Sequence, residues 1–407
     1  MVAPKLRFKE FSENWSSKKI IELADYVDYR GKTPKKVESG VLLVTAKNIK
    51  QGYLDYSTSQ EFIEKSAFDD VMRRGKVELN DVLITTEAPL GNVASVDRTD
   101  IALAQRVIKY RGKVGLLDNL FLKQKFLSEN FQEVLQSKAT GGTVQGIKGS
   151  VLHQIPLIVP PIKEQTKIAT FLSAVDEKIA QLSQKRHLLG QYKQGMMQKL
   201  FSQKIRFKAD DGSEFGEWKL ISIKEAVSFI KDGTHGTHQD DQNSELFLLS
   251  AKNLQNGRIK IDERDRKINQ KEFDSIYKNY TLEAGDILLS VVGTIGRVAI
   301  FKENYKAYAF QRSVAFMRFK ESLPEFIYQL FLANDFQNEL LVRQVVSAQP
   351  GIYLGDLSKI EISLPCLDEQ TKIANFLSAI DQKMDVVSEQ LTQAKTWKKG
   401  LLQQMFV

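Results

Sequence analysis

Two nearly identical stretches of 16 residues, 205 positions apart, constrain this chain more than any other feature. "EQTKIATFLSAVDEKI" begins at Glu164 and "EQTKIANFLSAIDQKM" begins at Glu369, and 12 of the 16 positions are identical. Shorter matches keep the same order and nearly the same offset, including "TAKNIKQG" with "SAKNLQNG" and Gly91 with Gly296. A long-period repeat with matches in order along the chain predicts two tandem copies of one structural unit.

Each half combines strand-like runs with segments of helical spacing. Runs such as "VLLVTA" and "DVLITT" are apolar, rich in β-branched residues and separated by Gly and Asn, which is typical of strands and turns. "NLFLKQKFLSENFQEVLQSK" and "PEFIYQLFLANDFQNELLVRQ" have the apolar spacing of helices. We therefore predict an α+β fold, with a first mixed α/β domain at 1–160, a long helix at 161–203, a second domain at 204–365 and a second long helix at 366–407.

An apolar seam runs along both long helices in alternating steps of four and three residues. This period favours a coiled coil, and two copies of one seam make mutual pairing the simpler interpretation. The alternative is that each helix packs on the core of its own domain. The residues predicted to pair are Ile168, Leu172, Val175, Ile179, Leu182, Ile373, Leu377, Ile380, Met384, Val387 and Leu391.

Composition limits the class of protein. The 58 Lys and Arg exceed the 50 Asp and Glu, for a net charge of +8, which is compatible with nucleic acid or simply with solubility. The single cysteine, Cys366, allows no intramolecular disulfide and favours a reducing compartment. No apolar run is long enough to span a bilayer, and "MVAPKLRFKEF" lacks a signal-peptide core. We expect a cytoplasmic protein.

Motifs for catalysis are missing from the sequence. "GGTVQGIKG" lacks the GK[ST] ending of a phosphate-binding loop, and neither a dinucleotide fingerprint nor a G-x-S-x-G elbow occurs. His235 and His238 lie in a Gly-rich stretch without a third metal ligand, so we predict no metal site. Asp176 to Lys178 only superficially resemble a nuclease triad, because they lie on a helix whose solvated face explains them. We predict a non-catalytic binding protein.

Polar residues at the ends of predicted strands and in loops are the candidates for DNA contacts. Lys and Asn can hold phosphates or purine edges, Gln favours adenine and Arg favours guanine. Gln105-Arg106 and Gln311-Arg312 fit this chemistry well, although the same residues could be structural hydrogen bonders that tie loops to a sheet. Loops that differ between the halves are better candidates for sequence reading. The predicted DNA-binding residues are Arg30, Lys32, Thr33, Lys35, Lys47, Asn48, Thr86, Gln105, Arg106, Thr143, Gln145, Lys148, Lys231, Thr234, His235, His238, Lys252, Asn253, Gln311, Arg312, Gln349 and Tyr353.

The whole chain resembles the DNA-specificity (S) subunits of Type I restriction–modification systems, the HsdS family. The resemblance depends on the "RF…W" start of each half, on the "T/S-A-K-N" and "G-x-V-A" motifs, and above all on the two "EQTKIA-x-FLSA-x-D-x-K" helices. It implies two target-recognition domains joined by two antiparallel helices that form a coiled coil. Each domain would recognise one half of a split, asymmetric DNA site.

The resemblance also implies partners. The subunit would do no chemistry and bind no cofactor. It would dock two modification subunits, which methylate adenine using S-adenosylmethionine, and through them the restriction (motor-nuclease) subunits that cleave unmodified DNA. A rival hypothesis is a coiled-coil scaffold without DNA recognition. The sequence leaves open the target bases and the spacer length.

Overall fold

The structure, a computed structural model, describes residues 4–29, 34–345 and 350–406 of the chain. These fall into two compact units, one made of Met1–Gln184 with Ser388–Val407 and the other of Lys185–Val387. The units therefore do not follow the predicted consecutive segments, because the end of the second long helix belongs to the first unit. Each unit is described below by itself.

The first half of the chain alternates short strands with short helices and ends in one long helix. Its elements are β1 (Ser16–Lys19), α1 (Ile20–Leu23), β2 (Ala24–Asp28), β3 (Lys36–Val37), β4 (Val41–Val44), β5 (Phe62–Ile63), α2 (Phe68–Val71), β6 (Val82–Thr86), β7 (Leu90–Ser95), β8 (Ile101–Leu103), β9 (Val107–Gly112), α3 (Asn119–Leu127), α4 (Glu129–Ser137), α5 (Gly149–Leu152), β10 (Pro156–Val159) and α6 (Ile162–Phe201), with a 3₁₀ turn at Lys65–Ala67.

The second half repeats this order closely. Its elements are β11 (Lys219–Ser222), α7 (Ile223–Ala226), β12 (Val227–Asp232), β13 (Leu246–Leu249), β14 (Leu254–Gln255), β15 (Arg258–Ile259), β16 (Lys267–Ile268), α8 (Gln270–Tyr277), β17 (Ile287–Ser290), β18 (Val298–Ile300), β19 (Tyr308–Phe310), β20 (Val314–Phe319), α9 (Pro324–Leu332), α10 (Asn334–Val342), α11 (Leu354–Leu357), β21 (Glu361–Leu364) and α12 (Leu367–Met405), with 3₁₀ turns at Ala251–Asn253 and Glu303–Tyr305.

A four-stranded antiparallel sheet in the order β2-β9-β6-β7 forms the centre of the first unit. All five residues of β6 are buried, because the sheet is covered on both faces. Val82 and Ile84 belong to a core shared with α3 and α4, whereas Leu83 belongs to a second core. That second core also covers the sheet β3-β5-β4-β8, in which β4 and β8 run parallel.

The second unit has the same arrangement. Its main sheet runs β12-β20-β17-β18, and β13 pairs in parallel with β19 beside it. Helices α9 and α10 cover one face, where the Phe331 and Phe336 rings stack with centroids 3.9 Å apart. In the first unit, the rings of Phe126 and Phe131 stack in the same way at 4.4 Å. The predicted α+β fold, with two tandem mixed domains each followed by a long helix, is confirmed.

The first turn of each long helix carries a buried carboxylate. Glu164 accepts hydrogen bonds from Arg7 on both oxygens, each at 2.7 Å. Glu369 accepts from Arg206 at 3.0 and 2.6 Å and from the Trp218 indole at 3.0 Å. A buried charge requires such partners, and its position near a helix N-terminus is favourable. The "RF…W" and "EQ" motifs of each half therefore meet in space.

In the first unit, the end of α12 packs against the beginning of α6. Leu402 and Phe406 share a core with Leu172 of α6 and with the α3–α4 layer. Trp397 lies edge-on to Phe171, with ring centroids 6.0 Å apart. The second α-helix of the repeat thus completes the core of the first unit.

In the second unit, the end of α6 packs against the beginning of α12. Met197 and Leu200 share a core with Leu377. Lys193 pairs with Asp381 at 2.7 Å, and Gly190 approaches Met384, so the two segments run antiparallel. These contacts are consistent with the predicted antiparallel pairing, and they include the helix-on-domain packing that was the alternative.

The predicted seam is largely buried in the structure. Ile179, Met384 and Leu391 are half-buried. The buried seam residues are Ile168, Leu172, Val175, Leu182, Ile373, Leu377, Ile380 and Val387.

Candidate nucleic-acid interface

Three loops of the first unit meet at one edge of the main sheet. They are the β6–β7 loop, the β8–β9 turn and the segment that follows α4. Gly146 forms bridges with both Glu87 and Thr140, and the backbone N–H of Thr86 donates to the Arg106 carbonyl at 2.9 Å. The β-ladder hydrogen bonding that ends at Thr86 therefore continues into the loops and positions their side chains.

A cavity of about 420 Å³ opens between these three loops. Four of the predicted DNA-binding residues line it, and Glu87 lines it as well. Gln105 is half-buried, whereas Arg106 and Lys148 are exposed. The predicted residues that line it are Thr86, Gln105, Arg106 and Lys148.

Thr143 and Gln145 are exposed on the loop that borders this cavity. They line a neighbouring cavity of about 530 Å³ together with Pro89 and Gln136. The first unit thus brings residues from three distant stretches of sequence to one surface. We call this surface the first loop cluster (86–90, 105–106 and 140–148).

The second unit builds a corresponding second loop cluster (291–296, 311–312, and 343–345 with 350–353). Gly351 forms bridges with Val292 and Val345, the positions equivalent to Glu87 and Thr140. The Ile352 N–H donates to the Val291 carbonyl at 2.9 Å. Tyr353, at the position equivalent to Lys148, is exposed.

The segment after β12 adjoins the second loop cluster, because Thr234 bridges to Gln311. A cavity of about 490 Å³ there is lined by Lys231, Thr234, His235 and His238. Both ring nitrogens of His238 are engaged, Nδ1 with Glu272 at 2.6 Å and Nε2 with the Thr234 hydroxyl at 2.7 Å. His238 therefore supports the loop from inside.

Lys231, near the end of β12, and His235 are exposed. His235 contacts Asp232 at 2.8 Å and remains largely exposed, and the Lys231 ammonium donates to the Asn279 carbonyl at 2.5 Å. Within the described ranges, no group of three or more His, Cys, Asp or Glu side chains could hold a metal ion. The two histidines thus act in this structure through hydrogen bonds.

Two predicted DNA-binding residues, Asn48 and Asn253, are buried inside their loops. Asn48 is fully buried; its side chain accepts from the Thr45 N–H and hydroxyl and donates to the Asp55 and Ser59 carbonyls. Asn253 is likewise buried and donates to Lys260 and Asp265. Because these hydrogen bonds use the amide capacity within the loop, both Asn residues are structural.

Thr86 and Lys252 also have local roles in this structure. Thr86 lines the first cavity but is almost fully buried at the end of β6. Lys252 pairs with the buried Asp265 carboxylate at 2.7 Å, and this hydrogen bond raises the pKa of Lys252. Its charge is thus partly neutralised by the loop that Asn253 closes.

The remaining predicted residues are placed as follows. Lys35, Lys47 and Arg312 are exposed, and Gln311 is half-buried. Arg30, Lys32, Thr33 and Gln349 lie outside the described residues.

Two features were missed from the sequence, one in the first loop cluster and one on the long helices. Glu87 lines the first cavity, but an acidic residue was not expected on a DNA-facing surface. Asp176, which we predicted to belong to a solvated face, and its counterpart Asp381 accept hydrogen bonds from Gln124 and Gln329 at 2.7 and 2.8 Å. The identity of Asp176 and Asp381 within the repeated helix motif was the available signal.

Among the helices that the structure describes, none has both the length and the apolar character needed to cross a bilayer.

Comparison with known proteins identifies the family to which this architecture belongs. The family model for the Type I restriction modification DNA specificity domain matches residues 12–189 and again 216–396. The MjaVIII Type I restriction enzyme specificity subunit of Methanocaldococcus jannaschii is 25% identical over 406 residues, covering 96% of this chain and 91% of that protein. The EcoBI specificity subunit of Escherichia coli is 23% identical over 293 residues, covering 67% of this chain and 61% of that protein.

A solved structure has the same fold. The S subunit of a Type I restriction–modification system from M. genitalium superposes with a TM-score of 0.62 at 18% identity. The match covers 100% of this chain and 99% of that chain.

Proposed function

The chain belongs to the Type I restriction–modification DNA specificity family, and from this premise we propose that its two loop clusters recognise the two halves of a split, asymmetric DNA site. Each unit would contact one half-site. The bases between the half-sites would not be contacted.

The observation that carries this proposal is the contrast between the two loop clusters. Within each cluster, an equivalent β-bridge joins two of the loops: Glu87 to Gly146 in the first and Val292 to Gly351 in the second. Their side chains differ, with Glu87 replaced by Val292 and Lys148 by Tyr353. A shared scaffold with different side chains is what recognition of two different base sequences requires, because base edges are distinguished by hydrogen-bond patterns and apolar contacts.

We further propose that the chain supplies specificity to an assembly whose chemistry lies in other subunits. Two modification subunits would use S-adenosylmethionine to methylate adenine, and restriction subunits would join through them. The duplicated helix segments support this stoichiometry, since each unit presents the same pairing of one helix beginning with one helix end. Two like surfaces suit two like partners.

The test is DNA binding and motif methylation by the chain co-purified with its modification partner. Fluorescence anisotropy with duplex DNA should show a steep salt dependence, because about 6–10 neutralised phosphates give a log–log slope of roughly −5 to −9. Sequencing the methylated positions in genomic DNA from an unmodified host should then reveal one motif with two halves. A slope near zero and no enriched motif would support the rival function, a coiled-coil scaffold without DNA recognition.

A further inference from the structure

Glu87 and Arg106 face each other in the cavity of the first loop cluster. Arg106 Nε lies 3.5 Å from Glu87 Oε2, and the two side chains are 53% and 41% exposed. An exposed ion pair of this kind contributes little to folding stability. A carboxylate on a surface that meets a polyanion is also unfavourable for binding phosphates. Neither folding nor general DNA affinity therefore explains Glu87.

The backbone of Arg106 is held in an uncommon conformation. Its φ is 69°, in the left-handed region that residues other than Gly and Asn rarely adopt. The hydrogen bond from the Thr86 N–H to the Arg106 carbonyl, at 2.9 Å, fixes the turn at the end of β6. Such conformations persist where the surroundings enforce them, often at binding sites. The fold thus fixes the base of the Arg106 side chain beside Glu87.

The second loop cluster lacks this pair. Val292 stands at the position of Glu87. Arg312, the counterpart of Arg106, is exposed, and no carboxylate among the described residues forms an ion pair with it. A residue that held the shared scaffold would occur in both units. A glutamate at this position therefore occurs in the first unit alone, as expected of a residue that recognises the base sequence of one half-site.

We propose, building on the proposed function, that Glu87 and Arg106 act together to recognise one G·C base pair in the half-site of the first unit. In the major groove, guanine presents the acceptors N7 and O6, and its paired cytosine presents the N4 amino donor. The O6 and N4 atoms are hydrogen-bonded to each other and so lie about 2.9 Å apart. The Arg106 donors and the Glu87 acceptor, 3.5 Å apart, form the complementary pattern.

Other base pairs fit this pattern poorly. An A·T pair in the same orientation places the adenine N6 donor against Arg106 and the thymine O4 acceptor against the Glu87 carboxylate. Inverting the G·C pair brings guanine O6 and N7 towards the carboxylate. Each mismatch leaves a charged group without its partner, so discrimination at this position should be roughly tenfold to a hundredfold.

The experiment uses the full chain co-purified with its modification subunit. The wild-type motif is first determined from methylated genomic DNA. Competition binding then uses duplexes in which each position of both half-sites is changed in turn, with wild-type, Glu87→Val and Arg106→Lys complexes. Glu87→Val installs the residue of the second unit, and Arg106→Lys keeps the charge without the planar fork. Arg312→Lys is the matched control in the second unit.

The inference predicts that both first-unit variants lose roughly tenfold or more of their discrimination at one and the same G·C position. The other positions and the second half-site should be unchanged, and Arg312→Lys should leave the first half-site intact. A uniform loss of affinity across all duplexes would mean phosphate contact and would overturn the inference. So would unchanged discrimination, or a first half-site without a G·C pair. A wild-type complex that methylates no bipartite motif would instead refute the proposed function itself.

Discussion

Lys193 Nζ donates to both carboxylate oxygens of Asp381, at 2.7 and 2.8 Å. The first unit repeats this pair with Lys398 and Asp176. In each unit, a lysine near the end of one long helix is thus joined to an aspartate near the beginning of the other. The Asp that both copies of the motif share thus forms an ion pair between the two long helices.

We predict that Asp381→Asn lowers the free energy of unfolding by about 2–3 kcal/mol. The amide loses the charged hydrogen bond to Lys193 and weakens the one from Gln329, and hydrogen bonds to charged groups contribute about 1.5–3 kcal/mol each. Urea unfolding followed by tryptophan fluorescence measures the change. Asp385→Asn is the control, because its pair with Arg258 is largely exposed and should contribute only about 0–1 kcal/mol. Equal effects of the two substitutions would contradict the prediction.

A pH dependence follows from the equivalent aspartate in the first unit. Burial alone would raise the pKa of Asp176, but the positive charges of Lys398 and Lys123 outweigh it, and the pKa of Asp176 lies below its ordinary value. Ionised Asp176 therefore stabilises the folded state above the unfolded pKa of about 4, and this stability is lost as pH falls through the lower folded pKa. The free energy of unfolding of the wild type should exceed that of Asp176→Asn by a constant amount from pH 7 to about pH 5. The difference should shrink at more acidic pH, and a difference that grows there would have the wrong sign.

Gly296→Ala should destabilise the second unit by about 1–3 kcal/mol. Gly296 has a φ of +88°, and an added Cβ would lie 2.1 Å from the Gln337 side-chain oxygen. Gln337 donates to the Gly296 carbonyl at 3.0 Å, so the substitution also pushes apart the loop and α10. The melting temperature reports the effect. Gly195→Ala in α6 is the control, because its Cβ meets nothing within 4 Å and a helical Ala is favoured by about 0.5–1 kcal/mol.

Substitutions in the loop clusters should alter one half-site at a time. Gln145→Ala should relax base discrimination only in the half-site of the first unit, and Tyr353→Ala only in the other, since each side chain is exposed in one cluster. Each lost base contact should cost roughly 1–3 kcal/mol. The measurement is the methylated motif of each variant complex. Relaxation of both halves by either single substitution would refute the assignment of one half-site to each unit.

Lengthening both helices should lengthen the spacer between the half-sites. Each long helix begins in one compact unit and ends in the other. Four residues inserted after Gln184 and four after Glu389 add about 6 Å to each helix. At about 3.4 Å per base pair, the spacer should grow by one or two base pairs. Some stability loss is expected, because a four-residue insertion shifts the seam.

The same motif sequencing measures this spacer. A four-residue insertion after Asp210, in an exposed loop of the second unit, serves as the control and should leave the spacing unchanged. Unchanged spacing in a folded, active complex with both helix insertions would refute the prediction that helix length sets the spacer. A changed half-site sequence would show that the insertions had disturbed the loop clusters.

Local patterns predicted much of this fold. The buried run of β6 and the 3.5-residue seams of α6 and α12 each appear where their spacing indicates. The seams did not reveal that Leu402 and Phe406 would enter the core of the first unit. Periodicity shows that an apolar stripe on a helix packs against something. It does not show which part of each helix packs on which domain, because the two stripes are alike.

The candidate site was harder to predict than the fold. Asn48 matches a DNA-contact residue by type, yet its amide is used up inside a loop, and only the fold determines such hydrogen bonding. Glu87 was missed because its proposed role depends on Arg106. The two residues are 19 positions apart in sequence, but their side chains are 3.5 Å apart in space. Residue type predicts chemistry, whereas tertiary structure decides which groups are free and which groups are adjacent.

The packing of Leu402 and Phe406 against Leu172 has a consequence for how the protein is made. The ribosome produces the N-terminal half first, and domains usually fold as they emerge. The first unit cannot finish in this way, because its last apolar layer is synthesised only after the entire second domain. Until α12 is synthesised, the surface that it covers remains open to solvent and to other nascent chains. A chain truncated within α12 would therefore carry its defect in the first unit, even though every codon of Met1–Gln184 had been read.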